Sequence, residues 1–324
     1  MLYDLYFHDD FDGRAAGAVM LAFLRSRGDD IGHYVPVQYD ILPEWSKEGF
    51  FEKNKLVRGR HNPAIVVDFL FHPKAAWWFD HHPTTWRNES WRKRFKPSKF
   101  QHYDPSYKSA CHLVEAALKK DFNWKPPKHF KELVEWLDIY DGANFKSPEQ
   151  TFDLGIPGLA LGAFVGYEQK WKPYMTHAWF IRQIAERSFL EILEEKDVKA
   201  IIRTIAQDIE RGKLFYRNHL KLVGNTVITD LGAQRFAQLR FFPFSVYPKA
   251  HYGMRIRKEK KGWYHFSVGV NPWRRGKKTM HIGEMLEKNF PGGGGHRGVG
   301  GAEFKTRKEA LAAAEQVIRI LNGK

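Results

Sequence analysis

The residues best suited to chemistry fall into three groups of carboxylates and imidazoles, each following an apolar run. His8, Asp10 and Asp12 lie within Phe7-His8-Asp9-Asp10-Phe11-Asp12-Gly13. Asp68 closes Ala64-Ile65-Val66-Val67, and Asp80-His81-His82 closes Ala76-Trp77-Trp78-Phe79. Carboxylate oxygen suits hard divalent cations, and added imidazole shifts the choice toward Mn, Fe or Zn. Gathered without a cation, so many acids would repel one another. Two divalent ions offset four carboxylates. A pair of ions about 3.5–4 Å apart can activate a water and neutralise a phosphate oxygen.

The chain must bring these groups together. His8, Asp10 and Asp12 are two residues apart in turn, and in extended backbone such residues share a face. Gly13 then permits a turn into a helix, and Asp9 points away from the Asp10 and Asp12 face. One acid at a strand end is ordinarily a turn former or cap; the ordered set of three groups is what argues for metal.

Periodicity predicts strands at 3–7, 33–39, 64–68 and 76–80, and helices from Gly13 to Arg27, from Ser109 to about Lys119, and from about Phe130 to Tyr140. This alternation implies an α/β fold with a doubly wound, mostly parallel sheet, whose sites form beyond the carboxyl ends of the strands. Residues 155–173 read as a loop-rich excursion and 177–218 as helical. Strand patterns return at 226–229, 252–256 and 263–270, with a hairpin tip at 258–262 and a last helix from about Arg307. The expected organisation is a catalytic domain at 1–185, a helical linker at 186–219 and a smaller α/β domain at 220–324.

A length of 324 residues suits two domains, and 43% hydrophobic residues suffice for a packed core in each. The net charge of +15 points to a polyanionic partner. The lone Cys111 cannot form an intramolecular disulfide and reads as a small core residue. With no basic, apolar leader and no run near the roughly 20 apolar residues of a membrane span, the expectation is a cytoplasmic protein with no membrane partner. Between Thr84 and Phe100, Trp86, Trp91 and Phe95 alternate with Arg and Lys. Such a segment either stacks bases or packs its aromatics inward.

The ordered motifs resemble the DHH phosphoesterase superfamily, in its nano-RNase or oligoribonuclease-like branch. Its first motif matches His8-x-Asp10-x-Asp12-Gly13, its second Asp68 and its third Asp80-His81-His82. Asp141-Gly142-Ala143-Asn144-Phe145 resembles the fourth, with Asp138 as the competing acid. Gly292-Gly293-Gly294-Gly295-His296-Arg297 resembles the glycine-rich signature of the DHH-associated C-terminal domain.

The resemblance implies two Mn2+ ions, with Mg2+ or Co2+ as substitutes. His8, Asp10 and Asp68 would hold one; Asp12, Asp68, His81 and Asp141 the other. His82 would touch the substrate phosphate or leaving group, and Asp80 would orient a ligand. Gly293, Gly294, Gly295, His296 and Arg297 would contact phosphate or nucleotide, with Arg274 or Arg275 replacing an arginine that relatives carry near Asn271.

The implied activity is hydrolysis of short single-stranded RNA or DNA to nucleoside monophosphates by a metal-activated water. The same scaffold would also serve a phosphohydrolase of polyphosphate, 3′-phosphoadenosine 5′-phosphate or cyclic dinucleotides, or a non-catalytic nucleic-acid binder, and leaves room for a homodimer.

Overall fold

A computed structural model describes residues 1–259, 262–274, 276, 279–295 and 297–323. The chain divides into two compact units. One comprises Met1–Asn144 with Gly155–Ile202, the other Phe145–Leu154 with Arg203–Lys324. The division falls inside the long helix Lys196–His219.

The first unit is built on strands β1 (Leu2–His8), β2 (Asp30–Val37), β3 (Ala64–Val67), β4 (Trp77–Asp80) and β5 (Gln101–Tyr103). They form one sheet in the order β2-β1-β3-β4-β5, parallel throughout. This is a doubly wound order, with its reversal point between β1 and β3. Every residue of β3 and β4 is buried, which is why both read as unbroken apolar runs rather than alternating ones.

Alternate residues serve opposite faces. Tyr6, Val66 and Trp78 pack with Trp45, Phe50 and Phe51. On the other face Trp77 meets Phe23 of the helix Phe11–Ser26 and stacks on Phe122 of the helix Ala110–Phe122. His72 is sealed under the first layer among Trp45, Phe51 and Trp91.

One segment resolves an open alternative, and another corrects the sequence expectation. Residues 84–100 contain a short helix, Glu89–Arg94, capped by the Asn88 side chain. Trp91 is buried, and Trp86 and Phe95 pack on Phe71 and Trp78, so the aromatics serve the core. The glycines near 160 belong to a helix, Pro157–Val165. A Cβ on Gly158 would lie 2.5 Å from Trp136, and one on Gly162 would lie 2.5 Å from Tyr140. They are contact points between helices and not loop signals.

The second unit carries β6 (Lys221–Val223), β7 (Thr226–Gly232), β8 (Tyr252–Lys258), β9 (Tyr264–Val270), β10 (Gly294–Gly295) and β11 (Val299–Phe304). The sheet order is β10-β11-β9-β8-β7-β6, with β7 and β8 parallel and the other pairs antiparallel. Its core joins Met254, Ile256, Phe266 and Val268 to Leu286 and Val317 of the helices Ile282–Asn289 and Arg307–Leu321. Among the described residues no helix is long and apolar enough to cross a membrane.

Candidate metal centre

The three groups identified from sequence meet at the carboxyl ends of β1, β3 and β4, three adjacent strands at the reversal point of the sheet. His8 is the last residue of β1. Asp10 caps the next helix, its Oδ1 accepting from Gly13 N at 2.9 Å. The helix therefore starts at Phe11, and Asp12 lies in its first turn. The extended register expected for His8, Asp10 and Asp12 thus ends at Asp10, because the capping bond turns the chain there. A Cβ on Gly13 would lie 2.2 Å from the His8 carbonyl oxygen, so this approach of helix to strand requires glycine. Asp12 accepts from the backbone N–H groups of Ala110 (2.6 Å) and Cys111 (3.0 Å), at the start of another helix, where an anion is favoured.

Asp68 follows β3 with φ of +58°. A left-handed aspartate is uncommon and held by its surroundings; here Asp68 N donates to the Phe79 carbonyl at 2.9 Å. Its carboxylate is buried, and among the described residues neither oxygen has a hydrogen-bond partner. Oδ2 is 3.7 Å from His8 Nδ1. Oδ1 is 3.7 Å from His81 Nε2 and 3.5 Å from His82 Nδ1. His81 Nδ1 lies 3.2 Å from the Tyr107 carbonyl, which aims the unpartnered Nε2 at Asp12 (3.7 Å) and Asp141 (3.6 Å).

Among the described residues, His8–Asp10–Asp68, Asp12–His81–Asp141 and Asp68–His81–His82 are groups here that could hold a metal ion, and Asp68 faces both His8 and His81. Asp138 goes elsewhere: its carboxylate takes Ser109 Oγ and His112 Nδ1, each at 2.7 Å. Asp80 Oδ1 accepts from His82 Nδ1 at 2.9 Å and from the backbone N–H of His81 and His82.

The electrostatics of the bare protein call for cations. Burial pushes the Asp12 and Asp68 carboxyls well above the ordinary range, and the neighbouring acids push them further. Desolvation, then the charge of Asp10, moves Asp141 up to about 6. Burial opposes charge on His82, but the hydrogen bond and charge of Asp80, with the charges of Asp141 and Asp12, together outweigh it and raise His82 to about 9. Burial, then His82, lowers His81. Buried carboxylate oxygens and an imidazole nitrogen lacking partners are costly unless something pairs with them. The oxygen and nitrogen donors present are the types that hold Mn, Mg or Co, so the residues fit the two divalent ions.

The second unit treats its glycines differently from a flexible cradle. Gly294 and Gly295 pair with Gly301 and Gly300 as strand β10. A Cβ on Gly283 would lie 2.2 Å from the Gly295 carbonyl oxygen, and one on Gly293 would lie 2.7 Å from that of Leu286. The run thus lets strand and helix backbones touch. Arg297 is exposed, and Arg274 Nε donates to the Pro248 carbonyl at 3.2 Å. Asn271 is buried and bonded to Ala250 and Trp273. His296 and Arg275 lie outside the described residues.

Sequence reading missed a further polar group. Arg14 is buried over the Trp171 ring, and its guanidinium meets Asp9 at 2.5 Å and also Glu168, with His177 Nδ1 3.5 Å from Asp9. Asp9 thus faces Arg14 and His177 and groups with Glu168 and His177 instead of with His8, Asp10 and Asp68. Glu168 and His177 are far off in sequence, and no local spacing signals their approach.

No family model matches the sequence, and no curated protein matches it. Solved structures do match. PggH, a pGpG-specific phosphodiesterase from Vibrio cholerae, superposes with a TM-score of 0.72 at 20% identity, over 99% of both chains. An exopolyphosphatase-related protein from Bacteroides fragilis matches with a TM-score of 0.51 at 16% identity, over 99% of this chain and 92% of its own. RecJ from Thermus thermophilus, in complex with Mn2+, matches with a TM-score of 0.57 at 12% identity; 99% of this chain aligns with 52% of RecJ. Identities this low speak to fold alone: the chain shares the fold of PggH, the exopolyphosphatase-related protein and RecJ.

Proposed function

We propose that the protein is a metal-dependent phosphodiesterase that hydrolyses short single-stranded oligonucleotides, dinucleotides included, to nucleoside monophosphates in the cytoplasm. The observation that carries this reading is Asp68: a buried, left-handed aspartate with both oxygens unpartnered among the described residues, facing His8 with one and His81 with the other. His8, Asp10 and Asp68 would hold one ion, and Asp12, Asp68, His81 and Asp141 the other. When bound, the ions supply a more acidic water and a counter-charge for phosphate. Asp80 fixes the ring of His82 and favours its charged form, so His82 can donate to a phosphate or leaving oxygen. Asp12 is held by two backbone amides and cannot swing away. Gly293, Gly294, Gly295, His296 and Arg297, with Arg274 or Arg275, are the second unit's candidate contacts for phosphate or nucleotide.

The end-to-end fold match to a pGpG-specific phosphodiesterase supports a dinucleotide-sized substrate. The match to an exopolyphosphatase-related protein and the net charge of +15 support polyphosphate as the second reading. The deciding experiment offers pGpG, other dinucleotides, longer RNA and DNA oligonucleotides, 3′-phosphoadenosine 5′-phosphate, cyclic dinucleotides and polyphosphate to the protein, stripped with EDTA and reloaded with Mn2+, Mg2+ or Co2+. Nucleoside monophosphates from short oligonucleotides support the first reading. Orthophosphate from polyphosphate alone would refute it.

A further inference from the structure

Asp138 and His112 form a pair beside the metal centre that the ligand set leaves unused. Asp138 Oδ1 accepts from Ser109 Oγ, and Asp138 Oδ2 accepts from His112 Nδ1, both at 2.7 Å. With Nδ1 committed, Nε2 is the free end of the ring, and among the described residues it has no hydrogen-bond partner. The His112 side chain is 38% exposed.

Its neighbours place the residue close to the cluster. The ring meets Tyr107 edge-on at 4.9 Å, and the Tyr107 carbonyl is the group that aims His81. Two residues before His112, the N–H of Ala110 donates to Asp12. One helical turn after Asp138, Asp141 faces His81. His112 therefore stands on the rim of the cluster, on the side of Asp12, His81 and Asp141.

We propose that His112 is a cationic contact for a phosphate of the substrate, and that Asp138 is the positioning residue that orients and charges it. The inference rests on the phosphoesterase reading and adds a substrate-binding group outside the metal ligands. An imidazolium N–H to a phosphate oxygen is a charge-assisted hydrogen bond, about twice as strong as a neutral one. The titratable groups facing the ring are Asp138 from the helix Phe130–Asp141, which is charged, and Tyr107 from the preceding loop, whose phenol stays neutral. On its own helix Glu115 favours the charge and Lys119 opposes it; the hydrogen bond to Asp138 is the largest influence and favours it.

The test combines dinucleotide kinetics in saturating Mn2+, over about pH 6 to 9, with histidine NMR of the Mg2+-loaded, diamagnetic protein. His112→Ala should raise KM about tenfold to a hundredfold with kcat changed less than about twofold, and His112→Lys should recover much of the loss. Wild-type KM should climb as the imidazolium loses its proton. Asp138→Asn should move that climb to lower pH without weakening Mn2+ binding in calorimetry. In NMR the His112 ring signal should shift when a nucleoside 5′-monophosphate is added. An unchanged KM in His112→Ala would overturn the proposal, as would loss of Mn2+ affinity in Asp138→Asn. Should wild type cleave no phosphodiester, the phosphoesterase reading fails. The His112 contact is then judged by NMR alone, where an unmoved ring signal overturns it.

Discussion

His82 Nδ1 and Asp80 Oδ1 are 2.9 Å apart, and that single oxygen also accepts the backbone N–H of both His81 and His82. One carboxylate therefore sets the ring and the backbone of the two histidines at the end of β4. In metal-free protein His82 should titrate near 9. Asp80→Asn should bring it back toward the ordinary 6.5 and cost about tenfold to a hundredfold in turnover. Histidine NMR and steady-state rates check both; an unmoved His82 titration would show that Asp80 does not govern the ring.

Asp68 should be a liability without metal and indispensable with it. Its carboxyl is raised above the ordinary range, so the fold favours the protonated form and loses stability as pH rises past the unfolded value near 3.8. Asp68→Asn keeps a residue that tolerates the left-handed backbone and removes the charge. At neutral pH in EDTA this variant should melt higher than wild type. With Mn2+ the order should reverse, and turnover should be lost. A variant that melts lower in EDTA would show that the acid is paired by something else.

The two acids of the helix Phe130–Asp141 should separate cleanly. Asp141→Asn should weaken Mn2+ binding in calorimetry by at least about tenfold, because Asp141 faces His81 and Asp12. Asp138→Asn should leave Mn2+ binding near wild type, because its partners are Ser109 and His112. The opposite pattern would exchange their roles.

His72 should shape the acid limb of stability. Its Nε2 lies 3.2 Å from the Lys47 carbonyl, and its Nδ1 accepts from Lys74 N at 3.1 Å. That arrangement suits only the neutral ring, and burial lowers its pKa to about 4. Below pH 6.5 the unfolded chain takes up a proton that the fold refuses. Stability therefore falls from there to about pH 4 and levels off below, a loss of roughly 3 kcal/mol for this group. His72→Gln should be less stable at pH 7 and should show a shallower decline over that window in urea titrations. A parallel decline would exonerate His72.

Part of the candidate metal centre was legible in sequence because His8, Asp68 and Asp80 sit at strand ends, and an apolar run that stops at an acid or imidazole is a local pattern. Asp68 and Asp80 announce themselves this way. Strands β5 and β11 did not: β5 has three residues, and β11 opens Val299-Gly300-Gly301, which carries little periodic signal. The helix Pro157–Val165 was hidden because Gly158 and Gly162 are dictated by rings on another helix. The Arg14 network and the His112–Asp138 pair depend on residues far apart in the chain, and spacing along the sequence holds no trace of them.

Gly13 gives the centre a point of failure that no survey of ligands would flag. Its missing side chain lets the helix begin directly over the last carbonyl of β1. Asp10 and Asp12 hang from that helix start, while His8 hangs from the strand. Any side chain at position 13 pries the two apart and pulls the first motif out of register with Asp68. A sister sequence with every histidine and aspartate intact but a larger residue there should be counted among the inactive ones, disarmed by a methyl group that touches no metal.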